Sequence, residues 1–433
     1  MHPRTRTAAC LLQALPAVAM AAILATAPAG VAAQGSNGLR QLFDAAWARQ
    51  PEAQALQARR EAAQAQRRAA DAWTPEPPSL EASHKTDRLH GNDGVREVEI
   101  GIALPLWLPG ERLGSHALAQ AEAAAVESRA AAARLRLAGA VREAWWAWQL
   151  RAVEVGIARI QLDSARRLAA DVSRRVQAGE LARADRHQAD GAVATAEAGL
   201  AQAEAGLTVA WLQLGAMAAD GADGAARAAG AGPAPAAPAL AEPEPEPSAA
   251  QLTDPAAAHP ALVEWQDRSV LAERAAALAA LQSRANPELM LATTRDRAAA
   301  GERYGQSLTL ALRIPLGAGP RHEGRLATAR ADAAEAQAQL ALDRARLRSE
   351  REASLARVAA LRSQLAAALR RADLARETRV FFEKSFRLGE TDLPTRLRVE
   401  NDAAEAERQA ARSRIELAAA ISAWRQALGL LPQ

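Results

Sequence analysis

Residues 95–106 read VREVEIGIALPL, and residues 305–316 read GQSLTLALRIPL. In the first stretch Val98, Ile100, Ile102 and Leu104 alternate with Glu97, Glu99, Gly101 and Ala103. In the second, Leu308, Leu310, Leu312 and Ile314 alternate with Ser307, Thr309, Ala311 and Arg313. A period of two gives a strand one apolar and one polar face. Each stretch follows a partner segment: SLEASHKTDR (79–88) before the loop HGNDG, and ELMLATTRD (288–296) before a loop containing Gly301. Two β-hairpins are therefore expected, at 79–106 and 288–316. About ten alternating residues is the span of an outer-membrane β-strand. A water-soluble hairpin packed on helices would carry the same pattern.

The hairpins hold equivalent places in a duplicated chain. ALPLWLPGERLGSHALAQAEA (103–123) is similar to RIPLGAGPRHEGRLATARADA (313–333). Pro105, Leu106, Gly114 and Ala119 recur as Pro315, Leu316, Gly324 and Ala329, and Gly179-Glu180 as Gly389-Glu390. Gln50-Pro51 corresponds to His259-Pro260, and Leu214-Gly215 to Leu428-Gly429. Ordered anchors at a near-constant offset mark an internal repeat. The first repeat is placed at 34–215 and the second at 252–433. The Ala/Gly/Pro-rich segment between them, 216–251, ends in a Glu-Pro alternation and is expected to be a mobile linker.

Each repeat opens with a helix, at about 39–72 and 256–284, stopped by Pro75, Pro77 and Pro78 or by Pro287. After each hairpin comes a very long helix, 111–177 in the first repeat and 321–388 in the second. Val141, Trp148, Val155, Leu162, Ala169 and Val176 recur every seven residues, and Leu340, Leu347, Ser354, Leu361, Ala368, Ala375 and Phe382 do the same. A second stripe, Leu150, Val153, Ile157, Ile160, Leu168 and Val172, covers another face. Two apolar stripes mean two helix neighbours, in a ring or a bundle of helices. The long helices break at Gly179 and Gly389, which favour a left-handed helix end. Return helices then run over 181–215 and 392–430.

The 433 residues (45.6 kDa) are 49% hydrophobic but only 3% aromatic, a composition suited to long Ala/Leu helices. The 53 basic and 50 acidic residues leave a net charge of +3, too balanced for a nucleic-acid binder. Residues 1–33 have a basic start (Arg4, Arg6), an apolar run from Leu11 to Ala25 and a small-residue end, Val31-Ala32-Ala33. This is the pattern of a secretory signal peptide. Cleavage before Gln34 removes Cys10, the only cysteine, and with it any disulfide or thiolate metal site. No later run is apolar enough for a membrane helix, so membrane passage falls to the strands. Four strands cannot close a barrel, and lipid tolerates no open edge, so a barrel would be shared between subunits.

The duplicated unit, the paired hairpins, the Pro-Leu exits and the Gly-Glu turns together resemble the TolC-type outer membrane factors. These are the exit ducts of tripartite efflux pumps and of type I secretion. Leu104-Pro105-Leu106-Trp107 with Gly110-Glu111-Arg112, and Arg313-Ile314-Pro315-Leu316, resemble most the CzcC-like subgroup serving heavy-metal cation pumps. The resemblance implies a mainly α fold with a small β part. Long antiparallel coiled-coil helices form an α-barrel, and four transmembrane strands per chain make a twelve-stranded barrel in a homotrimer. It further implies an outer-membrane location with a periplasmic extension, a periplasmic adaptor and an inner-membrane RND pump as partners, and passive conduction. The adaptor-docking tips would be Ala178, Gly179, Glu180 and Leu181 with Leu388, Gly389 and Glu390.

Asp185, Glu390 and Asp392 lie near those turns, and in a trimer each would form a ring of three carboxylates able to favour cations. Solvated helix ends are the alternative. No histidine pair has ligand spacing, and no phosphate loop or nucleophile motif is present, so no enzyme activity, cofactor or resident metal is expected. Aromatics for membrane-interface girdles are few, and Trp107 and Tyr304 are the candidates near the strands. A multidrug or type I secretion duct, a periplasmic adaptor and a coiled-coil scaffold remain as rival readings.

Overall fold

The computed structural model describes residues 35–218, 243–248, 259–317 and 319–433. The segment expected to be a signal peptide, residues 1–33, and most of the expected linker lie outside these residues. Between α1 (Gly35–Arg49) and α2 (Pro51–Asp71) the chain bends at Gln50, which is extended. The single helix expected over 39–72 is thus two. Pro51 lacks the N–H that would continue α1 but suits the first turn of α2.

The elements that follow are β1 (Ser79–Thr86), β2 (Arg96–Pro105), α3 (Glu111–Gln177) and α4 (Arg183–Ala218). In the second repeat come α5 (Pro260–Leu281), β3 (Glu288–Arg297), β4 (Gly305–Arg313), α6 (Pro320–Arg387) and α7 (Leu393–Ala427). With 67 and 68 residues, α3 and α6 each extend for roughly 100 Å at 1.5 Å per residue. Each packs along its own return helix, and α5 lies between α3 and α6. No helix among the described residues is long and apolar enough to cross a membrane.

The two hairpins join side by side in one antiparallel sheet of order β1-β2-β3-β4. The join runs from Arg96↔Arg297 to Pro105↔Glu288. This register aligns both alternations. Leu80, Ala82, Val98, Ile100, Ile102, Leu104, Leu289, Leu291, Leu308, Leu310 and Leu312 share one face, and most of them are exposed. The opposite face carries small and polar residues. Its centre is tight, because a Cβ on Gly101 would meet the Ala292 Cβ at 3.0 Å.

The main core sits midway along α3. Leu39 and Phe43 of α1 pack there against Trp145, Trp148, Leu207 and Leu214. Trp148 stacks obliquely with Trp145 and Trp211, with ring centroids 5.2 and 5.6 Å apart. The Trp146 Nε1–H donates to Ser422 Oγ of α7, so the indole's one polar atom is satisfied in the core.

The segment expected to be a mobile linker is docked at its acidic end. Glu244 is 3% exposed and sits between two guanidinium groups. Arg142 of α3 donates to it twice, Nε to Oε2 and Nη2 to Oε1, both at 2.8 Å. Arg425 of α7 lies 3.3 Å away and donates through Nη1 to the Pro245 carbonyl. Glu246 pairs with Arg362 of α6. Residues 243–248 therefore strap the two repeats together, because a buried carboxylate must find cations or be expelled.

Candidate functional site

At the end of the helices away from the sheet, the two turns have the same backbone. Gly179 and Gly389 both have φ of +80°. The Gly179 N–H donates to the Val176 carbonyl and the Glu180 N–H to that of Arg175. The Gly389 N–H donates to Phe386 and the Glu390 N–H to Ser385 in the same way. This paired pattern is the Schellman ending, and it requires a residue that accepts positive φ.

The side chains of the two turns differ. Ala178, Gly179 and Glu180 are exposed, whereas Leu181 tucks back against Val172, Ala189, Phe386 and Leu393. In the second turn Leu388 is 65% exposed, with Gly389 and Glu390 exposed beside it. Leu181 is thus mainly a packing residue, and Leu388 is the outward apolar one.

The helices leaving the turns are capped by carboxylates. Asp185 Oδ2 accepts from the Ala182 N–H at 3.0 Å, reaching back across the first turn of α4. Asp392 is the N-cap of α7, and its Oδ1 accepts from the Thr395 N–H. Those bonds from Thr395 hold the Asp392 carboxyl below its ordinary titration range. The Glu390 carboxylate accepts from the Ser385 hydroxyl at 3.4 Å. Of the three candidate ring carboxylates, two therefore also serve as helix caps.

The two turns are joined by a residue that the sequence did not single out. Arg175, in the last turn of α3, donates through Nη1 to the Phe386 carbonyl at 2.9 Å and through Nη2 to that of Arg387 at 3.2 Å. Its guanidinium also lies 5.0 Å from the centroid of the Phe386 ring. One side chain thus binds two carbonyls at the C-terminal end of α6, adding to the Gly389 bond at Phe386. No spacing in the sequence announces such a contact across 211 positions.

Above the turns lies a charged cleft of about 520 Å3, lined among others by Arg379, Glu383, Arg396, Glu400 and Glu407. Arg379 bridges to Glu400 and Glu407, and Arg396 to Glu383 and Glu400. The Arg387 hydrogen bond, with further pull from Arg396, lowers the Glu383 pKa. Among the described residues no group of three or more His, Cys, Asp or Glu is placed to hold a metal ion.

At the other end, the exit of the first hairpin and the entry of the second meet at one buried carboxylate. Glu111 is 2% exposed and accepts from the Leu108 N–H, Gln282 Nε2 and Asn286 Nδ2. It links the exit of the first hairpin to the entry of the second.

Residues 42–220 match a family described as Outer membrane efflux protein. No curated protein matches the chain. Among solved structures, the outer membrane protein VceC from Vibrio cholerae superposes with a TM-score of 0.73 at 19% identity, covering 92% of this chain and 97% of VceC. CusC, solved in a study of its folding and transmembrane channel formation, gives a TM-score of 0.73 at 16% identity, covering 91% of this chain and 92% of CusC. The Campylobacter jejuni CmeC outer membrane channel gives 0.70 at 14% identity, over 90% of this chain and 85% of CmeC. The resemblance to TolC-type outer membrane factors thus holds in the sequence of the first repeat and in the fold of nearly the whole chain.

Proposed function

We propose that this chain is one subunit of a homotrimeric exit duct in an outer membrane, serving a tripartite efflux system. The observation that carries this reading is the sheet. It has an exposed apolar face, free edges at β1 and β4, and helices of roughly 100 Å leaving one end. A free edge in lipid leaves unpaired N–H and C=O groups, each costing several kcal/mol. Pairing β4 of one copy with β1 of the next removes both edges, and three copies close a twelve-stranded barrel.

Conduction in this reading is passive. The inner face of the sheet carries Glu81, Glu97, Glu99, Glu288 and Asp296 against Lys85 and Arg313. An acidic lining raises the local concentration of cations. That agrees with heavy-metal cations as cargo, which the CzcC-like sequence details favour; a multidrug or protein cargo is the second reading. The exposed turns at Ala178-Gly179-Glu180 and Leu388-Gly389-Glu390 are the docking surface for a periplasmic adaptor, which couples the duct to an inner-membrane RND pump.

The deciding experiment is on the purified mature chain. Its oligomeric mass in detergent and its single-channel conductance in a planar bilayer are measured together. A trimer with discrete, cation-preferring openings is expected, and a water-soluble monomer without conductance would overturn the reading. Because the mature chain has no cysteine, Leu388→Cys offers a single cross-linking site for testing adaptor contact.

A further inference from the structure

The register of the sheet separates charge by face. Every carboxylate on the four strands, Glu81, Glu97, Glu99, Glu288 and Asp296, lies on the side of Gly101 and Ala292. The apolar face carries none. Its charged side chains are Arg96, Arg295 and Arg297, gathered at the hairpin end of the sheet, with His84 and Thr86 beside them. Arg96 and Arg297 are direct cross-strand partners, and Arg295 stands one row below, opposite Val98.

The three guanidiniums have no carboxylate partner among the described residues. Arg96 reaches the Thr86 hydroxyl and Arg297 Nε the Gly94 carbonyl. Arg295 and Arg297 lie against the ring of Tyr304, at 4.6 and 5.1 Å from its centroid. Two acids of the hairpin loops are engaged by the turns. Asp87 Oδ2 accepts from the Gly94 N–H, and Glu302 Oε2 from the amides of Ala298 and Ala299. Closing the barrel brings no acid either, since each added copy presents the same carboxylate-free face.

Below the arginines the apolar rows run from Val98 to Leu104, about 20 Å at 3.4 Å per residue. At the helix end of that band the interface residues are different: Trp73, 93% exposed, and Trp107, whose Nε1–H donates to the Ala72 carbonyl. Tryptophan suits an ordinary headgroup layer. A cluster of unpaired guanidiniums at the same depth on the opposite side suits phosphate, which arginine binds bidentately.

We propose that Arg96, Arg295 and Arg297, ordered by Tyr304, form a binding site for the phosphate groups of the phosphorylated glycolipid in the outer leaflet. This rests on reading the sheet as part of an outer-membrane barrel. The site anchors the hairpin end of the barrel where aromatic residues are scarce.

The test uses the purified trimer in detergent, native mass spectrometry, and bisphosphorylated or dephosphorylated lipid A as probes. The wild type is expected to retain the bisphosphorylated lipid and not the dephosphorylated one. At roughly fivefold per basic residue, the variant R96Q/R295Q/R297Q should bind about a hundredfold more weakly. Equal retention of both lipids by the wild type, a comparison that needs no variant, would overturn the site, as would undiminished binding by the triple variant. Conductance of the same preparations in pure phosphatidylcholine separates the two failures. Its presence without lipid preference sinks the site alone, and its absence in the wild type sinks the barrel reading beneath it.

Discussion

The helices α3 and α6 are matching elements of two repeats, nearly equal in length, yet they are packed differently. Twenty positions of α3 are buried, with Leu135, Val141, Trp145, Trp146, Trp148 and Val155 among them. Seven of α6 are buried, four of them alanines. Leu342, Leu355, Leu374, Val380 and Phe381 of α6 stay exposed. The first repeat carries the core of the lone chain. The second leaves a short apolar row exposed, Leu374 and Phe381, seven residues apart on one face of α6, with no described residue covering it. Scattered exposed leucines are ordinary, but a row of them along one long helix marks an interface. In the proposed trimer that row packs on the neighbouring copy.

The sharpest way to break this asymmetry is to charge the bare row. Leu374→Glu with Phe381→Glu should abolish the trimer while leaving the helical content of the chain unchanged. Analytical ultracentrifugation and circular dichroism on the same sample check both halves. Loss of helicity would mean that α6 is part of the chain's own core.

A smaller effect is expected at the strap that couples the two repeats. Glu244→Ala leaves Arg142 and Arg425 buried without their carboxylate, at a cost of about 3–5 kcal/mol. Burial, followed by the repulsion of Arg142, lowers the Arg425 pKa despite the pull of Glu244. Glu246→Ala removes only an exposed pair and should cost under about 1 kcal/mol. Urea unfolding of the two variants should separate them by several-fold in lost stability.

This strap also shows where the sequence was silent. The strands were legible because alternation has one physical cause, a buried or lipid-facing side. The turns were legible because Gly179 and Gly389 stand where only positive φ ends a helix well. A Glu-Pro run gives no such signal, since the same residues suit a solvated linker and an extended strand pinned by buried arginines. The arginines themselves, 102 positions upstream and 181 downstream of Glu244, look like ordinary helix-surface residues. The break at Gln50 was likewise hidden, because Pro51 is as compatible with a first helical turn as with a helix end. The side-by-side pairing of β2 with β3 depends on the tertiary assembly of the two repeats, which no local pattern encodes.

The two turns sharpen the comparison further. An Ala at either glycine must adopt the left-handed conformation, costing roughly 1–2 kcal/mol. Neither site adds steric crowding, as nothing lies within 4 Å of a Cβ at Gly179 or Gly389. Gly179→Ala and Gly389→Ala should therefore lose equal stability in thermal unfolding. If the second turn, with its outward Leu388, makes the stronger adaptor contact, efflux in cells will fall more for Gly389→Ala than for Gly179→Ala. Equal efflux defects would reduce both glycines to helix caps.

The smallest expected effect lies at the equivalent helix starts, Gln50-Pro51 and His259-Pro260. Gln50 makes no side-chain cap, whereas His259 Nδ1 accepts from the Ala261 N–H at 3.3 Å. That bond needs an unprotonated Nδ1. Burial lowers the His259 pKa from its ordinary value of 6.5, although the Gln426 backbone and then Glu350 pull the other way. Glu264, Asp343, Arg136 and Arg346 line the same cleft. The unfolded chain then takes up the proton more readily than the folded one, so folding stability rises with pH in this window. The His259 contribution is present above 6.5 and is lost as pH falls through that value toward the lower folded pKa. His259→Gln, which copies the first repeat, should flatten this part of the stability–pH curve and leave its alkaline side nearly unchanged. Denaturant midpoints measured from pH 7.5 down to about 5 decide it, and an unaltered slope in the variant would assign the pH dependence to the carboxylates around the cleft.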